Sequence, residues 1–265
     1  MNVQKLFNLS DQVALVVGGA RNLGYDMAEA LAEAGAAVIV TSRQAKAAEA
    51  AAAKLGQATG AGTLGLALDQ RDPQQVKTVM QMAVRWRGRL DILINNAGGT
   101  KPAATHLFER DPKDVEELIA VNLTGALHCC QEAAKIMSAQ RSGKIINIAS
   151  VAGLVGRDRR MYERSGMKGQ PIDYAAAKAG IIGMTLDLAG LLSPMGICVN
   201  CISPGGFERG QPPGFVRDYS DRTPVGRMGK DGLDLKGAAL FLASAASDYV
   251  TGHNLVVDGG FSLWH

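Results

Sequence analysis

Short, almost wholly apolar runs alternate with longer, alanine-rich segments of helical pattern along most of the chain. The runs cover residues 13–17, 38–41, 64–68, 92–95, 145–149, 197–202 and 255–257. Between them the pattern predicts helices over 23–34, 45–55, 73–86, 115–137, 174–192 and 233–243. A strand that is apolar on both faces must be covered on both faces. Such strands alternating with helices predict an α/β fold: a doubly wound, seven-stranded parallel sheet flanked by helices. Ligands of these sheets bind beyond the carboxyl ends of the strands, where strand order reverses. Candidate site residues are therefore sought just after strands, or on the helices that follow them.

Composition narrows the classes of function. With 265 residues, 47% of them hydrophobic, one large domain over 1–265 is expected, without repeats or linkers. The formal charge of +3, with no long basic run, excludes nucleic acid as a partner. Residues 1–10 lack a basic segment followed by an apolar one, and no uninterrupted apolar stretch is long enough to span a bilayer. A cytoplasmic protein with neither signal peptide nor membrane contact is expected. Four cysteines make no disulfide framework. Cys198 and Cys201 sit three apart in a strand pattern and face opposite sides of it. With Cys129 and Cys130 they read as ordinary buried thiols, and no metal site is expected.

Two segments break the rhythm. Residues 156–171 are charged and weakly patterned, and residues 205–224 are rich in Gly and Pro, which suggests a flexible loop or short lid.

After the first strand comes Gly18-Gly19-Ala20-Arg21-Asn22-Leu23-Gly24, leading into a helix. Glycines let backbone approach a pyrophosphate, and the helix N-terminus offers free N–H groups. The alternative is a plain strand-to-helix turn. Thr41-Ser42-Arg43 follows the second strand without an acidic residue to accept bonds from ribose hydroxyls. Arg43, with Arg21, suits a 2′-phosphate instead, so NADP(H) is the expected cofactor and NAD(H) the alternative. Both arginines could equally be solvated surface charges. Asp69 and its neighbour Gln70 follow the third strand, where the adenine would lie. Asn96, Ala97 and Gly98 in Asn95-Asn96-Ala97-Gly98 follow the fourth, where small residues admit a ribose; all of these are also turn formers.

Tyr174-Ala175-Ala176-Ala177-Lys178 puts a phenol and an ammonium on one helix face. A neighbouring cation favours phenolate, which turns a poor base into a usable one. With these features in order, the chain resembles the short-chain dehydrogenase/reductase family, single-domain branch, from Asp11 to Gly260. The likeness rests on Gly18–Gly24, Asn95–Gly98, Asn122 in Val121-Asn122-Leu123, Ser150, Tyr174 with Lys178, and Pro204-Gly205. The resemblance implies a Rossmann-type fold and hydride transfer between a nicotinamide and a secondary alcohol or ketone. It implies that Tyr174 exchanges a proton with the substrate oxygen and that Ser150 steadies that oxygen. Lys178 would lower the phenol pKa and hold the ribose, and Asn122 would anchor a water leading to Lys178. Pro204, Gly205 and Phe207 would border the nicotinamide, and a homotetramer is expected.

Three departures from the family pattern stand out: Val17 for a usual threonine, Asn22 for a glycine, and Arg209 where a threonine often contacts the nicotinamide. Ser150 and Tyr174 are also further apart than is usual. The extra residues are basic (Arg157, Arg159, Arg160, Arg164, Lys168) and sit beside the expected active-site mouth. They suggest a sugar, sugar acid or other polar anionic substrate; a solvated or subunit-contact loop is the alternative. Rival readings are a 3-oxoacyl or other apolar ketone reductase and a non-catalytic NADP-binding sensor. An extended-branch epimerase would need a further substrate domain after Gly260.

Overall fold

The computed structural model describes residues 2–99 and 106–264, so the expected domain limits Met1 and His265 lie outside the described residues. The strands are β1 (Val13–Val17), β2 (Ala37–Ser42), β3 (Thr63–Ala67), β4 (Ile92–Asn95), β5 (Gly143–Ile148), β6 (Ile197–Pro204), β7 (Phe207–Glu208), β8 (Gly229–Lys230) and β9 (Asn254–Val257). The first five helices are α1 (Val3–Leu6), α2 (Asn22–Glu33), α3 (Ala45–Thr59), α4 (Pro73–Arg87) and α5 (Pro112–Ile119). They are followed by α6 (Gly125–Gln140), α7 (Arg160–Arg164), α8 (Ile172–Leu192), α9 (Pro213–Asp221) and α10 (Lys236–Ala243).

Seven strands pair, all in parallel, in the order β3-β2-β1-β4-β5-β6-β9, the arrangement expected from the apolar runs. Strand order reverses between β1 and β4, which opens a crevice at their carboxyl ends. Every residue of β1 is buried, and the two-residue period divides them between two cores. Ala14 and Val16 pack under α2 and α10 with Met27, Leu31 and Leu242. Val13, Leu15 and Val17 pack with Val76 and Met80 of α4, Ala133 of α6 and Leu192 of α8. Each large aliphatic side chain fully buried in these layers contributes about 1.5–3 kcal/mol.

Local chemistry sets the helix ends. Asp72 accepts bonds from the backbone N–H groups of Gln74 and Gln75, ahead of Pro73 at the first helical position. The single helix expected over 115–137 is two helices, α5 and α6, joined by a π-helical turn at Ala120–Thr124. Asn122 explains the break: its Nδ2 donates to Leu118 O, the carbonyl that the α-helical ladder would use.

The two irregular segments are more ordered than expected. Residues 156–171 contain α7, with Met161 buried. Residues 205–224 form not an open loop but β7 and α9, because Phe215 and Tyr219 share a helix face that the Gly/Pro content hides. Ile172–Met195 is, by length and composition, apolar enough to cross a membrane, although Asp173, Lys178 and Asp187 interrupt it. Its buried stripe, Tyr174, Lys178, Ile181, Thr185, Ala189 and Leu192, belongs instead to a core helix.

Candidate active site

All nineteen residues expected at the site line one cleft of about 1340 Å³ at the carboxyl edge of the sheet. One end is the Gly-rich turn after β1. Gly18 (φ 72°) and Asn22 (φ 52°) are left-handed, so asparagine at position 22 does preserve the turn. Gly24 allows α2 to press onto it: a Cβ there would meet Gly18 O at 2.2 Å and Asn96 Nδ2 at 2.4 Å. Val17 has no side-chain oxygen to hold the turn, and Thr41 Oγ1 of β2 accepts from Gly18 N at 3.1 Å. Asn96 Nδ2 donates to Gly18 O at 2.9 Å and holds the other side.

This end fits a dinucleotide. The first turn of α2 carries neither an acidic residue nor a capping side chain, so its N–H groups are open to an anion. Arg21 and Arg43 are exposed on the cleft rim beside Ser42 and Leu23. No carboxylate among the described residues is within ion-pair distance of either.

Several residues expected here do other work as well. The Asp69 carboxylate accepts from Arg71 Nε at 2.9 Å, and that guanidinium holds its pKa below the usual value. Gln70 Nε2 donates to Ala97 O and Val121 O, tying the loops after β3 and β4 to the turn before α6. Asn95 ends β4 and points inward, with Nδ2 donating to Asn147 Oδ1 at 2.8 Å. Asn147 donates in turn to Thr185 Oγ1 at 3.0 Å. This buried ladder joins β4, β5 and α8 beneath the site. Sequence reading missed Asn147 and Thr185, whose signal was a lone amide in an otherwise apolar strand.

At the other end, α8 presents Tyr174 and Lys178. Lys178 Nζ donates to Ile148 O at 2.8 Å and lies 5.7 Å from the Tyr174 ring centroid. Ser150 Oγ accepts from Ala152 N at 3.1 Å, capping the turn after β5, and lies near enough to the phenol to pull its pKa down. Asn122 grips the strand-end loop: Nδ2 donates to Gly99 O and Oδ1 accepts from Gly99 N, both at 2.9 Å. Pro204, Gly205 and Phe207 close this end after β6, where the Tyr219 hydroxyl accepts from Gly206 N. Arg209, the departure from the family pattern, is paired with Asp231 at 2.6 Å.

The electrostatics differ from expectation in one respect. Burial pushes the Tyr174 phenol above its ordinary pKa, with Ser150 and Arg157 pulling it down, so the net direction is upward and not toward phenolate. Burial also lowers Lys178 from 10.5 to about 8. Between those two values the unfolded chain binds more protons than the folded one, so Lys178 adds stability as pH rises through this window. Denaturant titrations of the cofactor-free protein should find wild type gaining on Lys178→Met from pH 8 to pH 10.5. A constant difference would mean that the ammonium is not desolvated.

The order of strands and helices defines a Rossmann-type fold, and Ser150, Tyr174 and Lys178 lie together in the cleft at its carboxyl edge. A family model described as enoyl-(acyl carrier protein) reductase matches residues 18–262. The chain belongs to the short-chain dehydrogenase/reductase family and is an oxidoreductase of that family. It is 34% identical over 260 residues to the 3-oxoacyl-(acyl-carrier-protein) reductase FabG of Vibrio harveyi, covering 97% of this chain and 99% of that one. A gluconate 5-dehydrogenase from Burkholderia cenocepacia, solved with NADP and tartrate, is 34% identical with a TM-score of 0.88, covering 98% and 99%. An NADPH-dependent 3-quinuclidinone reductase from Rhodotorula rubra is 29% identical with a TM-score of 0.87, covering 99% and 95%.

Proposed function

We propose that this enzyme uses NADP(H) to interconvert a secondary alcohol and its ketone, on a polar, anionic substrate such as a sugar acid. The observation that carries the reading is one cleft with Ser150, Tyr174 and Lys178 at one end and Arg21 and Arg43, without a carboxylate partner among the described residues, at the other. NADP(H) supplies or accepts the hydride when bound. Arg21 and Arg43 would hold its 2′-phosphate, the turn from Gly18 to Gly24 its pyrophosphate, and Lys178 the nicotinamide ribose. Asp69 and Asn96 to Gly98 would border the adenosine half.

In this reading Tyr174 Oη gives a proton to the substrate oxygen during reduction and takes it back during oxidation. Ser150 donates a hydrogen bond to that oxygen as charge develops on it. Lys178, a cation on the same helix face, would favour phenolate, while Ser150 and Arg157 offset part of the burial that opposes it. Asn122 fixes the Gly99 backbone at the mouth of the path along which water would link Lys178 to solvent. The whole chain acts as one domain, with β7, α9 and the turns between them as its substrate-binding segment. A cytoplasmic homotetramer accords with four free cysteines and with exposed Leu186, Leu191 and Leu263.

The apolar patch of Phe215, Tyr219, Met228 and Phe261, with the FabG likeness, favours a second reading, a 3-oxoacyl substrate. A screen of aldonic acids, sugars, keto acids and 3-oxoacyl esters, following nicotinamide absorbance with both cofactors, separates the two. The expected result is turnover of hydroxy or oxo acids, with kcat/KM favouring NADP(H). Arg43→Ala should lower kcat/KM for NADP(H) about 10-fold or more, as loss of charge-assisted bonds does, while sparing NAD(H). A wild-type preference for NAD(H) sinks the cofactor assignment.

A further inference from the structure

Two of the four arginines of the segment 156–171 are neutralised by carboxylates. Arg160 is held by Asp158 at 2.8 Å and Arg164 by Asp218 at 2.7 Å, and both pairs lie on the surface. Arg157 differs in burial, partners and position. Its guanidinium is partly buried and lines the cleft beside Tyr174. Its hydrogen-bond partners are neutral: Nη1 donates to Gln170 Oε1 at 2.8 Å, Nη2 donates to Pro171 O at 3.2 Å, and the Tyr162 hydroxyl lies against it. No carboxylate pairs with it among the described residues.

The Pro171 bond matters for geometry. Pro171 precedes the first residue of α8, whose third residue is Tyr174, so the cation is tied to the helix that carries the phenol. A guanidinium has five N–H donors in a planar fork, and two bonds to neutral oxygens leave donors to spare. Desolvating a cation without a counter-charge is costly, and burial already lowers the pKa of Arg157. An anion entering the cleft would offset that cost. The fork matches a carboxylate in two parallel bonds. Behind Arg157 a side pocket of about 90 Å³, bordered by Tyr162, Lys168 and Gln170, leaves room around such a group.

We infer that Arg157 is the substrate-recognition residue of this enzyme, binding a carboxylate of a hydroxy or oxo acid whose carbinol carbon reacts at Tyr174. The inference rests on the anionic-substrate reading above and adds the residue and the group it grips.

The test is calorimetric titration of NADP-saturated enzyme with tartrate, malonate and gluconate, each compared with the neutral polyols threitol and glucitol. Wild type should prefer the carboxylates. Arg157→Gln should lose about 10- to 100-fold of carboxylate affinity, with polyol and NADP affinity unchanged. Arg160→Gln, which removes the same charge from the surface, should leave all affinities as they were. Should Arg157→Gln fail to fold, Arg157→Lys serves the same comparison, with a smaller loss expected because it keeps the charge but not the fork. Carboxylate preference retained in full by Arg157→Gln overturns the role of Arg157 and leaves the anionic reading standing. Equal affinity of wild type for acids and polyols removes the anionic reading, and this inference with it.

Discussion

Tyr174→Phe should lower turnover by about 10²- to 10⁴-fold, the usual contribution of a positioned general acid or base. The substitution deletes only the hydroxyl. The ring packs with Leu118, Ala152 and Ala177, contacts that phenylalanine keeps, so neither fold nor cofactor affinity should change. The loss should fall on kcat more than on KM, because the phenol acts on the oxygen as its charge changes. Single-turnover absorbance measures the chemical step, and cofactor fluorescence titration checks binding. Undiminished turnover with normal binding would refute the proposed proton transfer.

Arg110→Met should be the most damaging change outside the reacting groups. Arg110 and Asp173 form an ion pair with both side chains 5% exposed, and Nη2 lies 2.6 Å from Oδ2. The second bond, from Nε to Oδ1 at 3.2 Å, makes the pair bidentate. It joins the segment ahead of α5 to the residue immediately before Tyr174. Breaking one side of a buried pair strands the other charge in the interior, at a cost of about 3–5 kcal/mol. For a chain of this length the melting temperature should fall on the order of 10 °C. Replacing both partners removes the stranded charge, so Arg110→Met with Asp173→Leu should recover much of the loss. Thermal melts of the two single variants and the double variant check this. Additive losses would mean that the pair is not energetically coupled.

The order of elements was legible because strands buried on both faces are apolar along their whole length, and few other structures produce that alternation. The site was legible for a related reason: in such a sheet, residues just after strands converge whatever their separation in sequence. Gly18, Asn96, Ser150, Tyr174 and Pro204 meet in one cleft on that principle. Two kinds of feature escaped. Helix α9 was hidden because Gly and Pro mark its ends while Phe215 and Tyr219 alone supply its buried face. The break at Asn122 was hidden because it depends on one side chain competing with the backbone ladder for a carbonyl.

Charge divides along the same line. Counting residues reads the segment from Arg157 to Lys168 as one basic insert, because a sequence carries charges but not their partners. Asp158 lies two positions from Arg160, whereas Asp218 lies 54 positions from Arg164, and both neutralise their arginines. Of these three, Arg157 faces the cleft without a carboxylate among the described residues. Periodicity and residue type thus determined the layers, the family and the chemistry, since they act over a few residues at a time. Which charges are cancelled, which cation faces the cleft and how burial moves the phenol were decided only in the folded chain. Coulomb and desolvation energies depend on distance through space and not along the chain.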